Sequence, residues 1–350
     1  MGKGAGMNIL IIKLGAIGDV IHALPVSYAI KETYPEARLT WAVEPPAREL
    51  LVDNPYIDDI LVFEKKKFKT SLRGFWENFG PLRQKLKAGH FDISLDLQGL
   101  GKSAALAYFS GASRRYGTAD MREGSSWISK SVHGPNARGH IVERYLDVAR
   151  AIGCRVERVM FPVAIAAADQ ETARQRLVQA GVPEGRAYAV LAMGANWPNK
   201  RWPVRDYAAL ADWLFERRVI PVFVGGGLLD EHLIDDIIRL ALVPPMNLVG
   251  QTTLKQLAAV IAGASIVIGG DTGPVHLAAG LGVPTVMLMG PTDANRNGPY
   301  GQIENAIEVN RPCRYCWKRA CPKGLDCLAA IHPPEVEEKI EEIWRRADKG

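Results

Sequence analysis

The stretch "NILIIKLGAIGDVIHALP", residues 8–25, decides how the whole chain is parsed. An apolar run over residues 9–12 ends at Lys13, glycines follow at 15 and 18, and a helical pattern starts at once. This is the order strand, glycine turn, helix found throughout α/β proteins. A helix start of this kind presents free N–H groups and the positive end of the dipole, and so suits an anion. Asp19 stands there instead. The loop is neither G-x-G-x-x-G nor followed by a P-loop lysine, and a diphosphate would meet a like charge. Two readings stay open. Asp19 is an ordinary carboxylate of a first helical turn, contributing about 0.3–1 kcal/mol, or the helix start keeps it ionised as a general base for a bound hydroxyl. Gly18 beside it and His22 one turn on belong to the same candidate site.

Outward from this stretch, short β-rich runs alternate with helical patterns to the end of the chain. Strands are expected at "NILIIK", "RLTWAV", "DILVF" and "DISLDL", and again at "YAVLAM", "VIPVFVGG", "SIVIGG" and "TVMLMG". Each half reads as a doubly wound α/β unit, with ligands expected outside the carboxyl ends of the strands, in a cleft faced by both. Residues 155–168 make the crossing. The expected domains are 1–165, 166–332, and a last helix over 333–350 that can pack back on the first domain; it begins after a double proline.

The chain has 350 residues, 47% of them hydrophobic, enough for two cores. Its apolar runs fall short of the roughly 20 residues that span a bilayer, and no signal-peptide pattern opens it, so a cytoplasmic protein is expected. A net charge of +5 is too small for a dedicated nucleic-acid binder, and no nucleic-acid partner is expected. The positive charge is concentrated in residues 64–90, where Lys66, Lys67, Lys69 and Arg73 lie among Phe68, Phe75, Trp76 and Phe79. Such a segment suits anionic headgroups or a phosphorylated lipid; the alternative is a solvated face with a few core anchors.

Three further loops carry chemistry. In "DLQGLGKSAAL", residues 96–106, the Gly-Lys-Ser resembles the end of a Walker motif, but the position five before Gly101 is Asp96, so an NTPase is excluded; Gln98 and Lys102 remain as binding groups past a strand end. In "SIVIGGDTGPVHLAAGLGVPTV", residues 265–286, a buried strand ends in two glycines, and Asp271, Thr272 and Gly273 open a helix with Pro274 in its first turn and His276 close behind. This is a credible diphosphate cradle, the alternative being a capped helix with a packed histidine. In "GANWPNKRWP", residues 194–203, Lys200 is placed to neutralise charge on a leaving diphosphate. After "VFVGGG" either Asp230 or Glu231 is suited to ribose hydroxyls. Finally, Cys313, Cys316, Cys321 and Cys327 crowd into fifteen residues, with structural zinc, an iron–sulfur cluster, disulfides or reduced thiols all open.

Together, "NILIIKLGAIGDVIHALP", "DLQGLGKSA", "GANWPNKRWP", "GGDTGPVHLAAGLGVPTVMLMGPT" and the cysteine-rich tail resemble the bacterial heptosyltransferases of glycosyltransferase family 9, over nearly the whole chain. The resemblance implies two Rossmann-like domains in the GT-B arrangement with a central cleft. It implies inverting transfer of heptose from ADP-heptose to a lipid-linked Kdo or heptose acceptor of lipopolysaccharide, without a metal for chemistry, by a protein peripheral at the inner face of the bacterial inner membrane. It puts the general base on Asp19 and the donor's diphosphate on Lys200, Asp271, Thr272, Gly273 and His276, with Asn196 in the same loop. Asp230 or Glu231 falls near the ribose. The acceptor falls to Gly18, His22, Gln98, Lys102 and the basic residues Lys66, Lys67, Lys69, Arg73, Arg114 and Arg115. Two departures stand out: Ala195 and Asn196 replace a hydroxyl pair before the lysine, and Lys13 replaces an arginine common at the end of the first strand. The cysteine tail is closer to the second-heptose branch. Rival readings are a nucleotide-sugar epimerase, a GT-B transferase with another donor, and a metal- or redox-responsive interaction protein built on the cysteines.

Overall fold

The computed structural model describes residues 6–68 and 72–347, without the side chains of 72–76. The chain divides into two compact units, Met1–Ala164 and Ile165–Gly350. In the first, β1 (Asn8–Ile12), β2 (Arg38–Val43), β3 (Asp59–Val62), β4 (Ile93–Asp96), β5 (Arg114–Thr118) and β6 (Lys130–Val132) form a parallel sheet in the order β3-β2-β1-β4-β5-β6. In the second, β7 (Tyr188–Ala192), β8 (Ile220–Val224), β9 (Met246–Asn247), β10 (Ile266–Gly270), β11 (Thr285–Met289) and β12 (Ala306–Glu308) are ordered β12-β11-β10-β7-β8-β9, again all parallel. The second unit thus repeats the path of the first. Its opening strand is central, the next two strands lie to one side and the last three to the other. Both units are Rossmann-like, and each has a switch point, between β1 and β4 and between β7 and β10, where loops leave in opposite directions and open a crevice.

The central strands are apolar throughout because helices cover both faces: Ile9, Leu10, Ile11 and Ile12 of β1 are wholly buried, as are Ile266, Val267 and Ile268 of β10. The helix Ile17–Thr33 leaves β1 and buries most of its length, including Val20, His22, Leu24 and Pro25. At the end of β10 glycine is demanded by close approach, since a Cβ at Gly270 would stand 2.1 Å from the Lys200 carbonyl oxygen and one at Gly269 2.5 Å from that of Ala192. The strands expected from sequence are present; β5, β6, β9 and β12, at or next to the sheet edges, are additions. The terminal helix Pro333–Ala347 packs on the second unit. Its apolar face, Val336, Ile340 and Ile343, is built into the core of the second unit with Trp202, Tyr207 and Leu214, and Trp344 stacks on Trp213 at 5.9 Å. Among the described residues no helix is long and apolar enough to cross a membrane.

Candidate active site

At the switch point of the second unit, the loop after β7 and the start of the helix Gly273–Gly280 after β10 meet at one carboxylate. Asp271 is 6% exposed. Its Oδ2 accepts from Lys200 Nζ at 2.5 Å and from Thr292 Oγ1 at 2.7 Å, and its Oδ1 lies 2.7 Å from His276 Nε2. Burial pushes the Asp271 carboxyl up, but the hydrogen bond and charge of His276, with those of Lys200, hold it well below the ordinary carboxylate range. An ionised carboxylate can only accept, so His276 Nε2 carries a proton. The helix start itself is not capped by a side chain: the Thr272 hydroxyl donates back to the Gly270 carbonyl at 3.3 Å. The Lys200 loop is held from two sides, by Asn199 Nδ2 donating to Lys318 O at 2.7 Å and by Lys200 Nζ over the Trp197 ring at 4.5 Å. Arg201 closes the same loop, donating twice to the Ala195 carbonyl, while Asn196 stays exposed. After β8, Asp230 is buried and accepts from Gly226 N–H at 2.8 Å; its oxygens fill the space that a Cβ on Gly194 or Gly225 would need. Burial pushes its carboxyl up. Its neighbour Glu231 is exposed, next to Gly250.

The first unit's switch point is arranged differently. Asp19 is third in its helix, and its Oδ2 accepts from Ala16 N–H at 3.2 Å, so the carboxylate folds back over the helix start. Its other oxygen lies 4.0 Å from Lys13 Nζ, and the side chain is 41% exposed. Lys13 is buried, donating to the Leu97 carbonyl at 3.1 Å and the Tyr145 hydroxyl at 2.7 Å. Burial alone would pull its ammonium down; Asp19, then Tyr145 and Asp96, outweigh it and hold it above its ordinary value. Gln98 Oε1 accepts from the backbone of Leu14 and Gly15, tying the loop after β4 to the loop after β1. Lys102 pairs with Glu44 at 2.6 Å. His22 is buried with its ring edge-to-face against His140 at 5.7 Å. The Walker-like Gly-Lys-Ser is a helix start organised by Asp96, which accepts from Gln98 N–H, Gly99 N–H and the Ser103 hydroxyl. No phosphate is needed to account for it.

The basic segment is partly placed. Lys66 and Lys67 are exposed, with Lys67 paired to Glu64 at 2.8 Å. Phe68 packs against the core of the first unit, stacked on Phe63, and Phe79 lies edge-to-face with Phe109. Lys69 and the side chain of Arg73 lie outside the described residues. Arg114 is exposed, whereas Arg115 is tied to the carbonyls of Ile128 and Ala112.

The zinc and iron–sulfur readings of the cysteine cluster are overturned. All five cysteines are free, and among the described residues no group of three or more His, Cys, Asp or Glu side chains is arranged to hold a metal ion. The thiols stay near one another without bonding. Cys327 packs against Gly290 and burial pushes its thiol up, while the half-buried Cys321 accepts from the backbone of Leu325 and Lys323, which lowers it.

Compared with known proteins, residues 80–325, more than half of the chain, match the sequence model of glycosyltransferase family 9 (heptosyltransferase). The chain belongs to glycosyltransferase family 9. Among curated relatives, lipopolysaccharide heptosyltransferase 1 of Pseudomonas aeruginosa is 28% identical over 353 residues, covering 97% of this chain and 92% of the relative. Of the solved structures, the family 9 glycosyl transferase of Veillonella parvula superposes with a TM-score of 0.82 at 22% identity, covering 97% and 98% of the two chains. The E. coli heptosyltransferase WaaC with ADP gives 0.74 at 25% identity, with 96% and 99% covered. The fold of this family 9 glycosyltransferase is therefore shared with solved members over 96–97% of the chain.

Two residues in this family 9 chain stand at the switch points without having been assigned a role from sequence. Thr292 lies twenty-one residues past Asp271, and only the parallel pairing of β10 with β11 brings the loop after β11 beside it. Lys13 reads as the end of a strand, and its burial against Tyr145, 132 residues away, has no local signature.

Proposed function

We propose that the chain is an inverting heptosyltransferase that moves heptose from ADP-heptose to the Kdo or heptose inner core of a lipid-linked lipopolysaccharide acceptor, at the cytoplasmic face of the inner membrane. The observation that carries this reading is the Asp271 cluster at the second switch point. A buried acid paired to Lys200 and His276 does not repel a diphosphate, and it fixes both partners beside a helix start with uncapped N–H groups. The acceptor hydroxyl oxygen attacks the anomeric carbon. The bond from that carbon to the β-phosphate oxygen breaks with its electrons staying on ADP, and the hydroxyl proton passes to Asp19. Charge grows on the departing β-phosphate, so the Lys200 ammonium and the free first-turn N–H groups of the helix Gly273–Gly280, with His276 bracing the Asp271 carboxylate that holds Lys200, favour the transition state over the ground state. Thr272 and Gly273 line this cradle. Glu231, exposed where Asp230 is built into the glycine loop, is the better placed of the two for the ribose. Gln98, Lys102 and Gly18 frame the acceptor sugar, and His22, buried against His140, is set aside. Lys66 and Lys67, with Lys69 and Arg73, meet the acceptor's phosphates and carboxylates; Arg114, beside Met7 at the amino ends of the strands, lies on the opposite edge of the sheet from the switch point and is set aside.

The test is Asp19→Asn. Calorimetric ADP binding is expected to match the native chain, while heptose transfer to a Kdo-bearing lipid A precursor falls by at least about 100-fold, the usual range for a lost general base. Transfer at the native rate would remove Asp19 from the mechanism.

A further inference from the structure

Two neighbouring residues of the cysteine-rich segment, Trp317 and Lys318, hold both loops that meet at Asp271. The Lys318 carbonyl accepts from Asn199 Nδ2 at 2.7 Å, one residue before Lys200. Trp317 N–H donates to the Pro291 carbonyl at 2.9 Å, one residue before Thr292. Lys200 Nζ and Thr292 Oγ1 in turn donate to the same oxygen of Asp271, at 2.5 and 2.7 Å. The contacts therefore close a ring that starts and ends on Asp271 Oδ2. The segment is also anchored two residues upstream of Trp317: Tyr315 Oη donates to Glu308 Oε2 at 2.5 Å, and Glu308 Oε1 accepts from Ala294 N–H at 3.0 Å.

Asn199 is the link in this ring that stability explains least. It is 5% exposed, and its Nδ2 bond to Lys318 is matched by no bond at Oδ1, which is buried without a hydrogen-bond partner. A buried amide satisfied at one end only is a poor stabiliser, because the desolvation of its other end goes uncompensated. What the single bond achieves is geometric. Pro198–Lys200 is one short helical turn, so a bond at Asn199 fixes the direction in which the next side chain leaves the loop.

We infer that Asn199 is a positioning residue: by tying the Lys200 loop to the Trp317-Lys318 step of the cysteine-rich segment, it sets the Lys200 ammonium where the donor's diphosphate is bound. This rests on the reading of the Asp271 cluster as the donor site. Lys200 otherwise depends on contacts that leave its long side chain room to turn, the face of Trp197 at 4.5 Å and one carboxylate oxygen. Misplacing such a group by about 1 Å costs up to about 100-fold in rate. The cysteine-rich segment thereby has a task of its own: it carries the carbonyl from which the loop of the donor lysine is hung.

Calorimetry with ADP tests this. Asn199→Ala is expected to weaken ADP binding about three- to tenfold, the range of one lost neutral hydrogen bond, with the stoichiometry still one ADP per chain and the KM for a Kdo-bearing lipid A precursor unchanged. A merely structural loss would lower the stoichiometry and leave the affinity of the folded fraction native, and that result overturns the proposal. Tyr315→Phe, which frees the segment from Glu308 without touching the Lys200 loop, is expected to weaken ADP in the same direction. Both effects should vanish in a Lys200→Met background, because a residue that acts through the lysine has nothing left to position. A loss of the same size with and without Lys200 overturns the proposal as well. If Asn199→Ala does not fold, Tyr315→Phe, alone and combined with Lys200→Met, decides by the same two criteria. A native chain that does not bind ADP defeats the donor-site reading instead.

Discussion

At the scale of single residues, the chain sets two aspartates to opposite tasks by how far each is buried. Asp19 keeps 41% of its side chain in solvent and one oxygen open, whereas Asp271 is enclosed and accepts from three side chains. Because the folded Asp271 carboxyl lies below its unfolded value, its contribution to stability is complete above the ordinary carboxylate range and is lost as pH falls through and below it. The unfolding temperature of the native chain is therefore expected to drop steadily between about pH 5 and pH 2. Asp271→Asn should flatten that slope and, at neutral pH, cost about 3 kcal/mol by leaving Lys200 half-buried without its counter-charge. Melting curves recorded across this range check it; equal slopes in the two proteins would mean that Asp271 is not the group responsible. Neither aspartate's surroundings could be read from its own loop. Gly269-Gly270-Asp271 announces a strand end and a helix start, but the contact of Thr292 and the burial of Lys13 depend on pairings far away in sequence.

At the scale of elements, legibility follows local signal strength. The central strands β1, β7, β10 and β11 are continuous apolar runs because both of their faces are covered, and they were readable as such. The unforeseen strand β5 reads Arg-Arg-Tyr-Gly-Thr, with two charges and a glycine, and β9 has two residues, so neither carries a period that sequence can show. One helix start in the second unit is capped by a side chain. Thr253 accepts from Gln256 N–H and Gln256 Oε1 accepts in return from Thr253 N–H, a reciprocal cap at the helix Leu254–Ala262. Thr253→Ala is expected to cost about 1 kcal/mol, seen as a shifted denaturation midpoint with an unchanged slope. The helix Ile17–Thr33 starts under Asp19 instead, and that carboxylate does for the backbone what a cap does while its second oxygen stays available. Both readings of Asp19 left open by its loop are thus compatible with one geometry.

At the scale of the molecule, the terminal helix belongs energetically to the second unit. Ile340 is wholly buried there, so Ile340→Ala should remove about 2–5 kcal/mol. Amide exchange is expected to quicken in β7, β10 and β11 and to stay at native rates in β1 and β4. Quickening in the first unit's strands would show that the helix supports both. The shared strand order has a further result for how the protein comes to life after synthesis. In each unit the crevice is closed by pairing a first strand with a fourth: Ile9 with Ile93, and Ala189 with Ile266. Parallel partners so distant along the chain are joined late, after the long intervening loop has been drawn in. Neither the Lys13–Asp19 pair nor the Asp271 cluster can exist in a half-made unit, because Leu97 and Asp271 reach them only through that closure. A nascent chain is accordingly silent until each sheet is complete, and a regained ability to transfer sugar during refolding would report the last step of folding rather than the first.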